Sequence, residues 1–472
     1  MTDSIATERL LFPEIFAKPV MLEFDQRQGS SDGGAVLLKA AERRYGLIAS
    51  MSGCLCDPRQ AGKVDHSLRD LFAQRVFSIA CGYADANDSA RLAADPMHKM
   101  LLDRDPITGL DMASQPTLSR FENAVGPRQL YSMGAALAES VIDRHAKRLH
   151  HRARLVTIDL DPTEDPTHGA QQLSFFNSHY DNACYLPMMG FVTFNDEAEQ
   201  YLCTAVLRPG NVTAAAGAVG ILRRLMALIR GSFSKARIRV RLDGGFANPQ
   251  LLAFLDGEPG VEYVVAMASN AVLNRKAEEA IHPTDEDLSE GTPAMQVARL
   301  LAGLTDQTEH VYGEDCYAAG SWKRDRRVII KAEVVRGEDK APKDNPRFVI
   351  TNMNQAPQWL YEEVYCQRGE VENRIKELHA MEIDRTSCSR FWANQFRVLL
   401  TAAAYVLMQE LRLSAAGTNC ARAQVWTLRE RFLKLGARVV ASARRMVIHL
   451  PQSFPFLTTF RHMALALGAS PG

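Results

Sequence analysis

At Arg154 the periodicity of the chain changes, and that change constrains the fold more than any other feature. In RLVTIDLD the apolar Val156, Ile158 and Leu160 alternate with Thr157, Asp159 and Asp161 until Pro162 stops the run, the pattern of a strand with a break behind it. YLPMMGFVTF and QYLCTAVLR read as two more strands separated by the acidic turn NDEAE, and their short connections predict an antiparallel meander. VTAAAGAVGILRRLMALIRG is an Ala-rich helix, RIRVRLD an alternating strand ending at Asp243, and GGFANP a turn into a helix around Leu251 to Leu255. VEYVVAM is a fifth strand.

Three antiparallel strands, a helix, a fourth strand, a short helix and a fifth strand follow one another in the order of a ribonuclease H-like fold, an α/β class with a mixed sheet. Strands one and four are neighbours in that fold, so Asp161 and Asp243 meet at their ends. About a hundred residues then separate the fifth strand from the polar segment YCQRGEVENRIKE, too many for a structureless loop in a compact domain. They begin with acidic KAEEAIHPTDEDLSEG and continue into β-like RRVIIKAEVVRG and PRFVITNM, which predicts a separate β-rich insertion over 281–353. The core is therefore expected in two parts, 151–280 and 354–412.

On either side the pattern is helical. Leu68, Leu71, Phe72, Val76 and Ile79 form one stripe, and Ser114 caps a segment that buries Leu118, Phe121 and Val125. The other side of that segment carries Gln115, Thr117, Ser119, Arg120 and Asn123, side chains able to reach base edges or phosphates as the second helix of a helix-turn-helix does. An ordinary amphipathic surface helix has the same composition. From about Leu413 the chain returns to helix and basic character, with Arg422, Arg429, Arg431, Lys434, Arg438, Arg444 and Arg445 against Glu430.

Composition excludes several classes. With 472 residues, 46% apolar and 23% charged, the chain has the make-up of a globular protein of several domains, and its net charge of zero announces no nucleic-acid partner by itself. Nine scattered cysteines include no CxxC pair, which fits a reducing cytoplasm. The longest apolar helix, Phe396 to Leu411, contains Arg397, Gln409 and Glu410 and reads as a core helix, so no membrane role is expected.

The chemistry converges on carboxylates. At helical spacing Tyr365, Arg368, Glu372 and Lys376 share one face. Glu372, Asp161 and Asp243 are hard oxygen ligands of the kind magnesium prefers, and two such ions can serve an in-line displacement at phosphorus. Each acid alone is also a common turn residue. Asp159 points to the same face as Asp161 and stands as the alternative first acid or as a group supporting it.

DLDPTEDPTHGAQQ, RLDGGFA and the third motif, with Tyr365, Arg368 and Glu372 followed by NRIKE, resemble the three acidic motifs of the DDE-type insertion-sequence transposases. CYLP at Cys184 to Pro187, LRPGN at Leu207 to Asn211 and ANQFR at Ala393 to Arg397 are similar to that group too, and the resemblance runs from about Arg154 to Arg412. It implies a catalytic and metal-binding triad of Asp161, Asp243 and Glu372, two magnesium ions with manganese able to substitute, and Tyr365 and Arg368 on the DNA phosphate. Where the family pattern carries a Lys, seven residues after Glu372, this chain has His379, so Lys376, one turn nearer, is the other candidate for that contact. The implied reaction is nicking at the element's ends and attack of the freed 3′ hydroxyl on target DNA, by a cut-and-paste route through a hairpin.

The same resemblance suggests base stacking for Trp322, for which packing inside the insertion is the other reading, with Lys323 and Arg324 beside it as DNA contacts. It gives 1–150 the role of DNA-binding region and 413–472 that of a possible dimer contact. The implied partners are the terminal inverted repeats and the target, held by a homodimer on the bacterial nucleoid. The run Arg223, Arg224, Arg230, Lys235, Arg237, Arg239 and Arg241, with no acid between, could neutralise phosphates. A ribonuclease H-like nuclease without strand transfer and a non-catalytic DNA-binding regulator are the alternatives.

Overall fold

The computed structural model describes residues 9–281, 309–337 and 340–471. Contacts divide the chain into two compact units, one of residues 45–56 and 122–406, the other of residues 1–44, 57–121 and 407–472.

The first unit is built on a mixed sheet. Strands β1 (Leu155–Pro162), β2 (Met188–Phe194) and β3 (Tyr201–Val206) form the expected antiparallel meander. Helix α1 (Ala218–Ser232) leads to β4 (Arg237–Leu242), parallel to β1, and helix α2 (Pro249–Gly257) to β5 (Val261–Met267), parallel to β4. The strand order 3-2-1-4-5 is that of the ribonuclease H-like sheet. Residues Leu155 to Leu160 are all buried, so the alternation of β1 distinguishes two covered faces and not an inside from an outside.

The sheet does not stop at β5. Beyond it lie β6 (Glu309–Tyr317), β7 (Arg326–Gly337), β8 (Lys340–Asp344) and β9 (Arg347–Thr351). Strand β9 pairs antiparallel with β5, β7 with β9, and β6 and β8 with β7, giving nine strands among the described residues. The described strands of 281–353 are thus an extension of the core sheet and not a separate insertion. The cause is apolar: Val328, Ile329 and Ile330 on β7 and Phe348, Val349 and Ile350 on β9 are buried and gain most by continuing an existing covered sheet. Most of the acidic segment that opens this stretch lies outside the described residues.

The helix Pro127–Arg148, which falls inside the stretch 1–150 assigned from sequence to the DNA-binding region, belongs to this unit as well. It buries Leu130, Met133, Leu137, Val141 and Ile142, and His145 stacks on Phe194 at 5.0 Å and lies 3.8 Å from the ring of Tyr201. A stripe that apolar needs a surface to cover it, and β2 and β3 provide one.

In the second unit the helix Leu68–Ala80 is capped by Ser67, whose hydroxyl accepts from the Asp70 N–H, and it buries Leu71, Phe72, Val76 and Ile79 as expected. The C-terminal region is not wholly helical: Ala437–Ala441 and Met446–His449 form a hairpin whose first strand pairs with Gly29–Ser30. Its adjacent β-branched residues, Val439 and Val440 paired with Ile448 and Val447, favour strand over helix. Beside it Asp32 is fully buried, 2.9 Å from His98 Nε2 and 2.8 Å from Lys434 Nζ. Among the described residues no helix is long and apolar enough to cross a membrane.

Candidate active site

Asp159 on β1 stands opposite Arg241 on the parallel β4. Residues two apart on a strand share a face, so Asp161 and Asp243 follow on the same side, one step nearer the strand ends. That single step separates two environments. Asp159 is fully buried and forked by Arg241, Nε to Oδ1 at 2.9 Å and Nη2 to Oδ2 at 2.7 Å, with Gln200 at 3.4 Å. The runner-up first acid is therefore half of a core ion pair, and both its oxygens are committed.

Asp161 and Asp243 converge at the strand ends beside Arg368, whose Nη2 lies 2.7 Å from Asp161 Oδ1 and 3.4 Å from Asp243 Oδ2. Asp243 also caps the tight turn Gly244–Phe246, its Oδ1 accepting from the Gly245 N–H at 2.8 Å. A Cβ at position 245 would lie 2.7 Å from the Ala214 methyl and 3.1 Å from Asp243 Oδ1, which explains the glycine in RLDGG. Burial pushes the Asp161 carboxyl up; Arg368 pulls it down, the neighbouring Asp243 raises it again, and the outcome is about 7. Burial, then Asp161, Glu164 and Asp243, raise the phenol of Tyr180. Tyr180 was not singled out from sequence; its place just upstream of CYLP was the one available signal.

The third motif is one helical path with three windings. Leu360–Tyr365 is a π-helix, Cys366–Arg368 a 3₁₀ turn, and Gly369–Ala380 the α-helix α3. Widened turns of this kind recur at functional sites. Tyr365 packs on Tyr361 with ring centroids 5.6 Å apart. At the far end His379 Nε2 is 3.0 Å from the Thr163 hydroxyl, and its Nδ1 is 3.1 Å from Asp384. The segment is thus tied to the end of β1 twice, through Asp161 and Thr163. Glu372 and Lys376 lie four and eight residues after Arg368, between the ties, and both are exposed. On its other side Arg374 bridges Glu199 at 3.2 Å and Glu377 at 3.1 Å, and Tyr405 donates to Glu377 at 2.7 Å.

Other predicted contacts are placed differently. The basic run is largely spoken for: Arg230 pairs with Glu258, Arg237 and Arg239 with Glu262, and Arg241 with Asp159. Arg223 lies over Phe254 and Arg224 over Tyr131, leaving Lys235 exposed. Trp322 meets Tyr317 edge-on at 5.6 Å with Arg326 4.8 Å over its ring, Arg324 pairs with Asp256, and Lys323 is exposed. Arg120 is exposed on the helix Gln115–Ala124.

The sheet order and the helical crossovers define a ribonuclease H-like protein. Its sequence matches the transposase DDE domain, group 1, over residues 12–471. The chain belongs to that family and is a transposase, an enzyme that acts on DNA. Among solved structures it is similar to that of the piggyBac transposase synaptic complex with hairpin DNA, at 11% identity and a TM-score of 0.41 over 84% of this chain and 78% of that one. No curated protein matches the sequence.

Proposed function

We propose that this transposase cleaves DNA at the ends of an insertion sequence and transfers the freed 3′ strand to target DNA by a cut-and-paste route. The observation that carries the reading is the convergence of Asp161 and Asp243 on one guanidinium supplied by the third acidic motif. The donor set suits a hard divalent cation, magnesium or manganese in its place. Burial and the neighbouring Asp243 make ionisation of Asp161 costly, and Arg368 only partly offsets that cost, so added positive charge would stabilise the ionised pair. Asp161, Asp243 and Glu372 would hold two such ions, and when bound these supply positive charge to the attacking and leaving oxygens of an in-line displacement.

The chain's own side chains position the DNA. Arg368 and Tyr365 face the scissile phosphate; Lys376 and His379 extend the contact along α3, with His379 oriented by Asp384 and Thr163. Recognition of the terminal repeats falls to the N-terminal helices, Arg120 among them. Cutting two ends together calls for a homodimer, which sedimentation of the protein with end DNA would reveal.

The test is incubation of the full chain with labelled duplexes from both flanks of its gene and a target plasmid, in magnesium or manganese, beside a Glu372→Gln control. Metal-dependent nicks at a repeat boundary and label joined to the plasmid are expected. Nicks without joining would reduce the reading to a nuclease, and binding without cleavage to a regulator.

A further inference from the structure

Arg368 and Arg241 pair with acids on the same strand face, one layer apart, and are satisfied very differently. Arg241 forks Asp159 with two nitrogens and donates a third hydrogen bond to the Val364 carbonyl at 3.3 Å. Arg368 reaches both of its acids through Nη2 alone, and its buried Nε has no hydrogen-bond partner among the described residues. A guanidinium is built for two-pronged contact with carboxylate or phosphate, and an idle buried donor is costly. Arg241 is a finished ion pair, whereas Arg368 is held at the acids with donors in reserve. It also sits where the path changes from a 3₁₀ turn to the α-helix, just before Gly369.

We propose that Arg368 is an exchangeable counter-cation: it bridges Asp161 and Asp243 until a DNA phosphate takes its guanidinium, and that exchange frees the two carboxylates for divalent cations. The inference rests on the phosphoryl-transfer reading of this site. Its consequence is order. The Asp161 oxygen held at 2.7 Å by Arg368 is one a hard cation needs, so DNA and metal bind with positive coupling, and by linkage each raises the affinity of the other equally. Cleavage chemistry is thereby assembled only on DNA that presents a phosphate to Arg368.

The coupling is read by titrating Mn²⁺ into the full chain and following free ion by electron paramagnetic resonance. Each titration is run with and without a pre-cut element-end duplex ending in a 3′ dideoxynucleotide, so that no reaction occurs. DNA is expected to tighten Mn²⁺ binding to the wild type by ~10-fold or more, within the usual range of coupling between sites. Arg368→Gln should bind Mn²⁺ tightly without DNA and gain less than about 3-fold from it, since the exchanging group is gone. Arg368→Lys keeps the charge but not the fork, and should also lose most of the coupling; it stands in if the Gln variant folds poorly. Mn²⁺ affinity in the wild type that ignores DNA, or full coupling retained in both variants, overturns the exchange. Absence of any Mn²⁺ site sensitive to Asp161→Asn would instead sink the metal-dependent reading beneath it, and the exchange with it.

Discussion

Asp159 and Asp161 share a strand face and differ by one layer of depth, and their substitutions should fail in opposite ways. Asp159→Ala leaves Arg241 buried without its carboxylate, a loss of the kind that costs about 3–5 kcal/mol, so thermal unfolding should fall steeply. Asp161→Ala removes a mostly buried acid whose ionised form is costly and leaves Asp243 to Arg368, so it should abolish nicking with little loss of melting temperature. Normal stability in the first variant, or nicking in the second, would reverse their roles. Glu372→Gln should retain end binding and lose cleavage by more than the ~10–100-fold typical of groups one step removed from a metal; a gel shift beside a nicking assay decides it. Period-two alternation placed both aspartates on one face from sequence alone, but it carries no depth. For the same reason Arg241 was indistinguishable from its basic neighbours: Asp159, Glu258 and Glu262, which pair with that run, come from other parts of the chain.

At the scale of elements, α3 is held over β1 by a chain of polar ties, Thr163 to His379 to Asp384, with Thr386 just beyond. The Thr386 hydroxyl donates to Asp165, at 2.8 and 2.9 Å from its two oxygens. Asp165 is 1% exposed, and burial, with Asp384 adding to it, pushes its carboxyl up to about 8 from an ordinary 3.8. The sign follows from linkage. Below pH 3.8 both states are protonated and nothing changes. As pH rises the unfolded chain ionises first while the folded one keeps its proton, so stability is lost progressively until about pH 8 and no further above it. Asp165→Asn keeps an acceptor for Thr386 and removes the titration, so its melting temperature should gain on the wild type steadily between pH 5 and pH 8. A constant difference across those buffers would mean that Asp165 is ionised in the folded protein. The third motif was legible because its spacing is local. The junction of β9 with β5 was not, because a β-rich stretch reads alike whether it closes on itself or prolongs a sheet many residues away.

At the scale of the molecule, the two ends of the chain build one unit. Gly29–Ser30 pairs with Ala437–Ala441, a Cβ on Gly34 would lie 1.6 Å from the Phe432 carbonyl oxygen, and Lys434 neutralises the buried Asp32 while its ammonium sits 3.7 Å from the centre of the Tyr83 ring. Burial raises the Asp32 carboxyl, yet hydrogen bonds from His98 and Lys434 outweigh it and hold the group below its ordinary value. The helices nearest the N-terminus are therefore not a module that ends at residue 150: part of their core comes from 407–472, and the helix Pro127–Arg148 packs in the other unit. Removing 413–472 should loosen residues 57–121, seen as faster amide exchange across Leu68–Ala80 than in the full chain. The point version is Lys434→Met, which keeps the apolar stem and removes the charge. A buried Asp32 left with His98 as its remaining partner should then cost up to about 3–5 kcal/mol, and Asp32→Asn in the same chain should restore most of it, because no charge is left to strand. If Lys434→Met melts like the wild type, or the double variant is no better than the single, the tie between the chain ends lies in the strand pairing and not in this ion pair.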